Sequence, residues 1–209
     1  MLDYYLRRTA HSPHWKFLHP LLGKLVLNAS PERQWLRIAM NEDIERTVLG
    51  LEPASRSVLE ISGDRWATKP WFKSYRGVDY PEFDICADVL DGRFDLIFAE
   101  QVFEHVLWPY RAGRNVFAML SDGGVFVVST PFLVKLHQHP YDCSRWSEMG
   151  LRCLLVECGF EESKITTRSW GNRSCVRANF SRWQTFRPGR HSLENEPDFP
   201  VMVWAFAVK

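Results

Sequence analysis

Features that mark several protein classes are missing from this sequence of 209 residues. The five cysteines are odd in number and contain no C-x-x-C pair, which argues against a disulfide framework or a cysteine zinc site. The net charge of +1 gives no general affinity for nucleic acid or anionic membranes. No apolar run approaches the roughly 20 residues of a membrane span, and no signal peptide is recognisable. We therefore expect a cytoplasmic protein with neither nucleic acid nor a membrane among its partners.

The composition fits a single globular domain over 1–209, because 45% of the residues are hydrophobic and 24% are charged. Ser30-Pro31-Glu32 has the residues of a helix start, and the apolar spacing between Gln34 and Leu49 predicts an amphipathic helix. The aromatic N-terminal segment offers a surface for a homo-oligomer. The expected parts of the domain are a helical extension (1–50), a core (57–160) and a variable excursion (170–200).

Strand and helix patterns alternate through the core, which predicts a parallel sheet with helices on both faces. Two further strand patterns, Lys164–Ser169 and Val201–Val208, predict an antiparallel edge. We therefore expect an α/β fold, doubly wound, with a mostly parallel seven-stranded sheet and an antiparallel edge strand. The other predicted strands are 57–61, 75–78, 84–87, 94–99 and 124–129, and the predicted helices are 66–72, 109–120 and 147–158.

Short apolar strands that end in an acid stand at the start of this core. The first runs into Glu60-Ile61-Ser62-Gly63, and the second ends in Gly77-Val78-Asp79. A glycine lets the backbone approach a ligand closely, and a carboxylate at a strand tip accepts hydrogen bonds from ribose hydroxyls. The pattern therefore predicts a nucleoside site. The dinucleotide fingerprint G-x-G-x-x-G is absent after the first strand, which argues against an NAD-dependent enzyme.

Five segments stand in a fixed order along the core: Val58–Gly63, Gly77–Asp79, Asp84–Asp88, Phe94–Val106 and Leu120–Phe132. Together they resemble the class I S-adenosylmethionine-dependent methyltransferases, and most closely the methyltransferase type 11 group. The resemblance covers about residues 57–160 and implies a Rossmann-like methyltransferase fold with S-adenosylmethionine as cofactor. The first motif keeps only Gly63 of the three spaced glycines that are usual in the family. A non-catalytic methyltransferase-like binding protein therefore stays an alternative.

The resemblance implies a role for each strand tip in binding the cofactor. Glu60 orients the first turn or meets the ammonium group of the cofactor, and Asp79 accepts hydrogen bonds from the ribose hydroxyls. Tyr80 stacks on adenine, and Asp88 accepts a hydrogen bond from the adenine amino group. The alternative for these acids is an ordinary turn residue. The implied cofactor-binding residues are Glu60, Ser62, Gly63, Asp79, Tyr80, Asp88 and Gln101.

A second signature, His137–Ser147, follows the strand pattern at 124–129. It resembles a methyltransferase subgroup found with sugar and polysaccharide biosynthesis, in which a His, an Asp and an Arg recur at this spacing before a helix cap. The resemblance implies a carbohydrate acceptor, as in the small sugar O-methyltransferases. A hydroxyl of another small natural product is the alternative acceptor.

Methyl transfer to an alcohol benefits from a base, because the pKa of an alcohol lies far above 7. Histidine titrates near neutrality, so His137 or His139 is the predicted base, and the sequence does not distinguish them. Asp142 orients the imidazole or accepts a substrate hydroxyl, and Arg145 offers a planar fork of donors. The alternative is that Asp142 and Arg145 pair with each other. His105 is a further candidate base, or it packs structurally.

The same histidines, with Asp142 and Glu104, offer nitrogen and oxygen ligands for a divalent ion. No fixed ligand motif such as H-E-x-x-H occurs in the sequence. We therefore predict no metal site from the sequence, and a requirement for a divalent metal is left open.

Overall fold

The computed structural model describes residues 33–138 and 140–209. The strands in these ranges are β1 (Ser57–Ile61), β2 (Ser74–Val78), β3 (Phe94–Glu100), β4 (Leu120–Pro131), β5 (Ile165–Trp170) and β6 (Met202–Val208). The α-helices are α1 (Ile38–Leu49), α2 (Pro109–Met119), α3 (Glu148–Glu157) and α4 (Arg173–Asn179). None of the helices in the described ranges has the length and apolar character that a membrane crossing requires.

One mixed sheet contains all of these strands, in the order β2-β1-β3-β4-β6-β5. The strands β1 to β4 run parallel, whereas β6 lies antiparallel between β4 and β5. Because parallel strands end on the same side, the ends of β1, β2, β3 and β4 lie together. We call this side of the sheet the carboxyl edge.

Apolar side chains alternate between the two faces of the sheet, so both faces need a cover of helices. In β1, Leu59 packs on the face that α2 and α3 cover, and Val58 packs on the face that α1 covers. Val116 of α2 and Ile44 of α1 are fully buried in these two layers. The sheet is therefore doubly wound, with one apolar layer on each side.

The predicted fold class is confirmed, because a mostly parallel sheet with an antiparallel strand lies between two helical layers. The described part of the chain has six strands rather than seven, because the predicted strand 84–87 is a turn. The backbone N–H of Asp88 donates to the Asp84 carbonyl at 2.7 Å, and the N–H of Cys86 donates to the Asp84 carboxylate at 2.9 Å. Local acceptors therefore take the amide groups that a strand would share with a neighbour.

The predicted helix 66–72 is also wrong, because this segment forms successive turns. Lys69 N–H donates to the Trp66 carbonyl at 3.1 Å, and the chain then reaches Pro70. Proline lacks an N–H and disfavours helical backbone in the residue before it, so the turn does not extend into a helix. The predicted helix start at Ser30-Pro31-Glu32 lies outside the described residues.

The excursion between β5 and β6 packs against the beginning of the described chain. The Trp35 indole N–H donates to the Ser192 carbonyl at 2.9 Å, and the Trp35 ring stacks on His191 with centroids 4.2 Å apart. The Trp170 indole N–H donates to the Leu193 carbonyl at 2.9 Å. This segment is therefore tied to the same face of the sheet as α1.

Asp95 joins the starts of β3 and β1. The N–H and hydroxyl of Ser57 both donate to Asp95 Oδ2 at 2.8 Å. Burial by itself would raise the pKa of Asp95, but these hydrogen bonds outweigh it and hold the pKa below its ordinary value. A carboxyl with a lowered pKa stabilises the fold above its unfolded-state pKa, and that contribution is lost as the pH falls through the folded-state pKa.

We therefore expect Asp95→Ala to lower the free energy of unfolding by about 1 kcal/mol at neutral pH, because two hydrogen bonds to a partly exposed charge are lost. The difference from the wild type should fade as the pH falls below about 3.9, the ordinary pKa of aspartate. Urea unfolding at a series of pH values measures this. A difference that stays constant into acid would contradict the assigned role of the charge.

Candidate functional site

The tips of β1 and β2 lie side by side at the carboxyl edge. Ile61 is opposite Val78 in the sheet, and the next N–H, that of Ser62, donates to the Val78 carbonyl at 2.8 Å. Gly63 follows Ser62, and Asp79 follows Val78. The parallel register therefore places the first turn beside the acid that ends the second strand, as the sequence predicted.

Glu60 holds the loop that follows β1. Its carboxylate accepts hydrogen bonds from the backbone N–H groups of Arg65 and Trp66, both at 3.1 Å, and from the Tyr75 hydroxyl at 2.8 Å. The residue is only 3% exposed, and burial raises the pKa of its carboxyl although these hydrogen bonds lower it. Glu60 therefore orients the loop after β1, and its part in cofactor binding stays a prediction.

The Glu60 carboxylate also explains the glycine at position 63. A Cβ atom on residue 63 would lie 2.7 Å from Glu60 Oε1, which is closer than such atoms approach each other. The backbone therefore passes directly over the carboxylate only because residue 63 has no side chain. Ser62, just before it, adopts a φ of 55°, a left-handed conformation that non-glycine residues hold only where the surrounding structure imposes it.

Asp79 and Tyr80 are exposed at the tip of β2. Asp79 Oδ1 accepts a hydrogen bond from the Tyr80 N–H at 2.9 Å, which orients the carboxylate. Tyr80 is 51% exposed, so its ring presents a free apolar face beside that carboxylate. Asp88 lies in the turn that replaces the predicted third strand, where its carboxylate accepts from the Asp84 N–H at 2.7 Å. Asp79 therefore faces solvent at the carboxyl edge, and Asp88 stabilises a turn.

These features fit a nucleoside cofactor with an amino acid end. The loop after β1 is held close to the sheet by Glu60, and the exposed Asp79 carboxylate is an acceptor for vicinal hydroxyls. The exposed ring of Tyr80 offers a stacking surface next to it. The tips of β1 and β2 therefore have the chemistry that S-adenosylmethionine requires.

Gln101 links the tips of β3 and β4. Its backbone N–H donates to the Ser129 carbonyl at 2.8 Å, and its side-chain amide donates to the Ser129 hydroxyl at 3.1 Å. Gln101 has a φ of 59°, so a second non-glycine residue at the carboxyl edge is held in the left-handed region. Strained backbone of this kind clusters at ligand sites.

The sequence missed a buried charge network beneath this edge. Glu100 accepts the indole N–H of Trp66 at 2.6 Å and a guanidinium N–H of Arg65 at 2.8 Å, and Arg65 in turn donates to Asn41 of α1. The Trp66 ring is fully buried and stacks on Phe98 at 4.4 Å. The network fastens the loop after β1 to α1. The signal available in the sequence was the bulky pair Arg65-Trp66 shortly after the turn glycine.

Three ionisable side chains converge where β3 and β4 end. The ligating atoms of Glu104, His105 and His137 all lie within 4.8 Å of one another, and we call these residues the histidine cluster. The two imidazole rings meet edge to face with centroids 5.0 Å apart, and His105 Nε2 lies 3.6 Å from Glu104 Oε1. His105 Nδ1 lies 2.5 Å from the Tyr141 carbonyl oxygen. Two of the predicted catalytic histidines are thus neighbours.

Glu104 is the unexpected member of the cluster. Its side chain is fully buried, and apart from its own backbone N–H its carboxylate has no hydrogen-bond donor in the described part of the chain. Burial raises the pKa of this carboxyl to about 8, against the opposing positive charges of Arg37 and Arg145. In the sequence, Glu104 stands out only as a candidate ligand of a divalent metal, a requirement that the sequence leaves open. Its position immediately before His105 was the available signal.

Asp142 and Arg145 pair with each other, which was the alternative reading of their spacing. The guanidinium of Arg145 binds both oxygens of Asp142, with Nη2 at 2.6 Å from Oδ2. The His137 N–H donates to the same carboxylate at 2.8 Å. Burial would raise the pKa of Asp142, but the hydrogen bonds from Arg145 and His137 outweigh it and lower the pKa. The pair therefore positions His137, while His139 lies outside the described residues.

A groove of about 570 Å³ lies elsewhere, on the outer side of α1. It contains none of the residues for which the sequence predicts a role. Its walls carry charges of both signs, so it offers no distinct ligand chemistry. The lining residues are Ile38, Asn41, Glu42, Glu45, Arg46, Leu49, Arg65 and Lys69.

Comparison with known proteins identifies the family of this chain. The family model described as a methyltransferase domain matches residues 33–188. No curated protein matches the sequence. A solved S-adenosylmethionine-dependent methyltransferase from Mesorhizobium loti is 16% identical, with a TM-score of 0.56 over 78% of this chain and 96% of that chain. One from Clostridium acetobutylicum is 14% identical, with a TM-score of 0.53 over 94% of this chain and 99% of that chain.

A third similar structure contains the cofactor. Phosphoethanolamine N-methyltransferase 2 of Haemonchus contortus, in complex with S-adenosyl-L-methionine, is 13% identical, with a TM-score of 0.53 over 80% of this chain and 52% of that chain. At such identities the solved structures show the fold alone, and the family follows from the model that spans most of the chain. The chain therefore belongs to the methyltransferase domain family, with the fold of solved S-adenosylmethionine-dependent methyltransferases.

Proposed function

We propose that this chain is an O-methyltransferase that transfers the methyl group of S-adenosylmethionine to a hydroxyl of a sugar. The observation that carries the proposal is the position of His137. It stands in the loop after β4, beside His105 and at the same carboxyl edge as Gly63 and Asp79. Ligands of open α/β sheets bind outside this edge, so a histidine and a methyl donor would share one site.

The chemistry needs an acceptor of protons at that position. The methyl group moves from sulfur to the hydroxyl oxygen as the S–C bond breaks, and S-adenosylhomocysteine leaves with a neutral sulfur. The hydroxyl proton must be removed as the O–C bond forms, and an imidazole with a pKa near neutrality takes it efficiently. In our proposal the base is one of the pair His137 and His139.

Positioning is the larger part of the catalysis, because the methyl carbon is already activated by the positive sulfur. We propose that Gly63, Asp79 and Tyr80 hold the cofactor directly. Glu60 would act through the loop that it fastens, and Gln101 through its link to Ser129. Ser62 and Asp88 complete the proposed cofactor-binding set through their backbone turns.

A sugar is the proposed acceptor class for two reasons. The signature His137–Ser147 resembles that of sugar O-methyltransferases. In addition, the partly buried indole of Trp183, from the excursion, lies edge to face with the His137 ring at 5.7 Å. An aromatic ring beside a polar cluster offers a sugar an apolar platform together with hydrogen-bonding partners.

The test measures transfer of a labelled methyl group to a panel of sugars and small oligosaccharides. We expect His137→Ala or His139→Ala to lower turnover about 100- to 10,000-fold while the affinity for S-adenosylhomocysteine is kept, because a general base contributes that much. His191→Ala, which removes a histidine stacked on Trp35, is the matched control and should keep full turnover. Full turnover in both of the first two variants would exclude a histidine base, and binding of cofactor without transfer to any hydroxyl would exclude the O-methyltransferase.

A further inference from the structure

We propose that Glu104, His105 and His137 form a binding site for a divalent transition-metal ion. The site itself follows from the geometry of these side chains. Its part in catalysis rests on the proposed function, because it assumes that a hydroxyl is methylated at this edge.

The separation of the ligating atoms suits a single ion. Metal–ligand distances of about 2.0–2.2 Å place neighbouring ligand atoms roughly 3–3.6 Å apart around a tetrahedral ion. His105 Nε2 and Glu104 Oε1 are 3.6 Å apart, and all three residues present a ligating atom within 4.8 Å of the others.

Glu104 supplies an independent reason for an ion. The side chain has no exposure to solvent, and in the described part of the chain its carboxylate has no hydrogen-bond donor apart from its own backbone N–H. A buried carboxylate without partners is costly, and native proteins rarely keep one. Since Oε1 lies 3.6 Å from His105 Nε2, a cation between them would bind both atoms and supply the partner that the carboxylate oxygens lack.

His105 is oriented as metal-binding histidines are. Its Nδ1 lies at hydrogen-bond distance from the Tyr141 carbonyl oxygen, which accepts only from a protonated nitrogen. That bond assigns the proton of the neutral ring to Nδ1 and leaves the lone pair of Nε2 facing Glu104. A backbone carbonyl on the far nitrogen is the usual support of a histidine ligand.

The supports of the other ligands are rigid as well. The backbone N–H groups of Cys143 and Ser144 donate to the Glu104 carbonyl at 2.7 and 3.3 Å. These bonds attach the loop that carries His137 to Glu104, another of the three ligands. The His137 N–H is held by Asp142, which the Arg145 fork fixes in turn. The three ligands therefore come from two strand ends that are joined by hydrogen bonds before any ion binds.

The donor set selects the class of ion. Two imidazole nitrogens and one carboxylate suit Zn²⁺, Mn²⁺, Fe²⁺ or Co²⁺, whereas Mg²⁺ and Ca²⁺ prefer oxygen ligands. Three protein ligands leave a coordination position open, as in catalytic sites. An acceptor oxygen bound there would have a lowered pKa. His137 would then be a ligand, which leaves His139 as the base of the proposed pair.

The experiment titrates ZnCl₂ into the full chain after treatment with a chelator, by calorimetry. We expect one Zn²⁺ per chain, an affinity at least tenfold weaker in Glu104→Gln and in His137→Asn, and no comparable binding of Mg²⁺. His139→Asn should bind Zn²⁺ as the wild type does. Glu161→Gln, which changes a glutamate exposed at the surface, and His191→Asn are the matched controls. Unchanged affinity for S-adenosylhomocysteine shows that each variant is folded.

The outcomes separate the metal site from the proposed function. A wild-type chain that takes up no Zn²⁺, or variants at Glu104 and His137 that bind it like the wild type, would overturn the site. Transfer to a sugar at the full rate by the metal-free enzyme would overturn the catalytic role of the ion and leave the proposed function standing. Zn²⁺ binding that depends on Glu104, without methylation of any hydroxyl, would support the site and contradict the proposed function.

Discussion

Replacing Asp79 by alanine is expected to weaken the binding of S-adenosylhomocysteine roughly 30- to 150-fold. The carboxylate follows β2 at the carboxyl edge, is exposed, and is oriented by the Tyr80 N–H. Two hydrogen bonds from ribose hydroxyls to a charged acceptor are worth about 2–3 kcal/mol in total, which corresponds to that loss of affinity. Isothermal calorimetry on the wild type and the variant measures it directly.

Glu82→Ala is the matched control for Asp79→Ala. Glu82 is an exposed acid three positions along the same loop, so its removal changes the net charge equally. The control should bind S-adenosylhomocysteine like the wild type, and Asp79→Asn, which keeps one oxygen acceptor, should fall between the two. Equal affinities in Asp79→Ala and Glu82→Ala, with normal thermal unfolding, would show that the ribose is held elsewhere.

The strand tips were predictable because their signals are local. One apolar strand leads into Glu60 and Gly63, and another ends in Asp79. Parallel strands end on the same side of a sheet, and this rule alone predicts that the two tips lie together. The structure places Ser62 beside Val78 as that rule requires. A nucleoside site followed from the same pattern, and S-adenosylmethionine as the cofactor followed from the resemblance to the methyltransferases.

The strand predicted over 84–87 is wrong, although the apolar pattern that predicted it reflects real burial. Ile85 is buried, so the apolar signal was real, but it belongs to a turn capped by Asp84 and Asp88. A parallel strand also needs a crossover of a dozen or more residues on each side. The short connection between Val78 and Phe94 leaves no room for two of them.

The histidine cluster depends on contacts between distant parts of the chain. Its members could therefore be named from the sequence, but their arrangement could not be predicted. Glu104 and His137 meet because the loop after β4 folds back and donates two backbone N–H groups to the Glu104 carbonyl. The positive charge of Arg37, which precedes α1, also acts on the buried Glu104 and lowers the pKa of its carboxyl against the effect of burial. No spacing in the sequence encodes a contact between these three segments.

Among variants of the positioning residues, Arg145→Ala is expected to lower turnover the most. The Arg145 fork is the partner of Asp142, whose side chain is 2% exposed, and Asp142 in turn holds the backbone of His137. Removing one member of a buried pair leaves the other charge uncompensated, at a cost of about 3–5 kcal/mol. In Arg145→Ala the unpaired charge of Asp142 destabilises the conformation of the 137–145 loop. Turnover should therefore drop at least about 100-fold, while S-adenosylhomocysteine binding at the tips of β1 and β2, to which Arg145 does not contribute, stays unchanged.

The pair Arg114 and Glu157 provides the contrast for this variant. These side chains also meet at 2.8 Å, but they are 54% and 60% exposed. Exposed pairs contribute about 0–1 kcal/mol, so Arg114→Ala should leave both stability and turnover close to the wild type. In a double-mutant cycle, Asp142→Asn should recover part of the stability lost in Arg145→Ala, because it removes the stranded charge. Equal unfolding free energies for Arg145→Ala and Arg114→Ala would contradict the assignment, since a loop held by a mostly buried ion pair must respond to the loss of the Arg145 guanidinium.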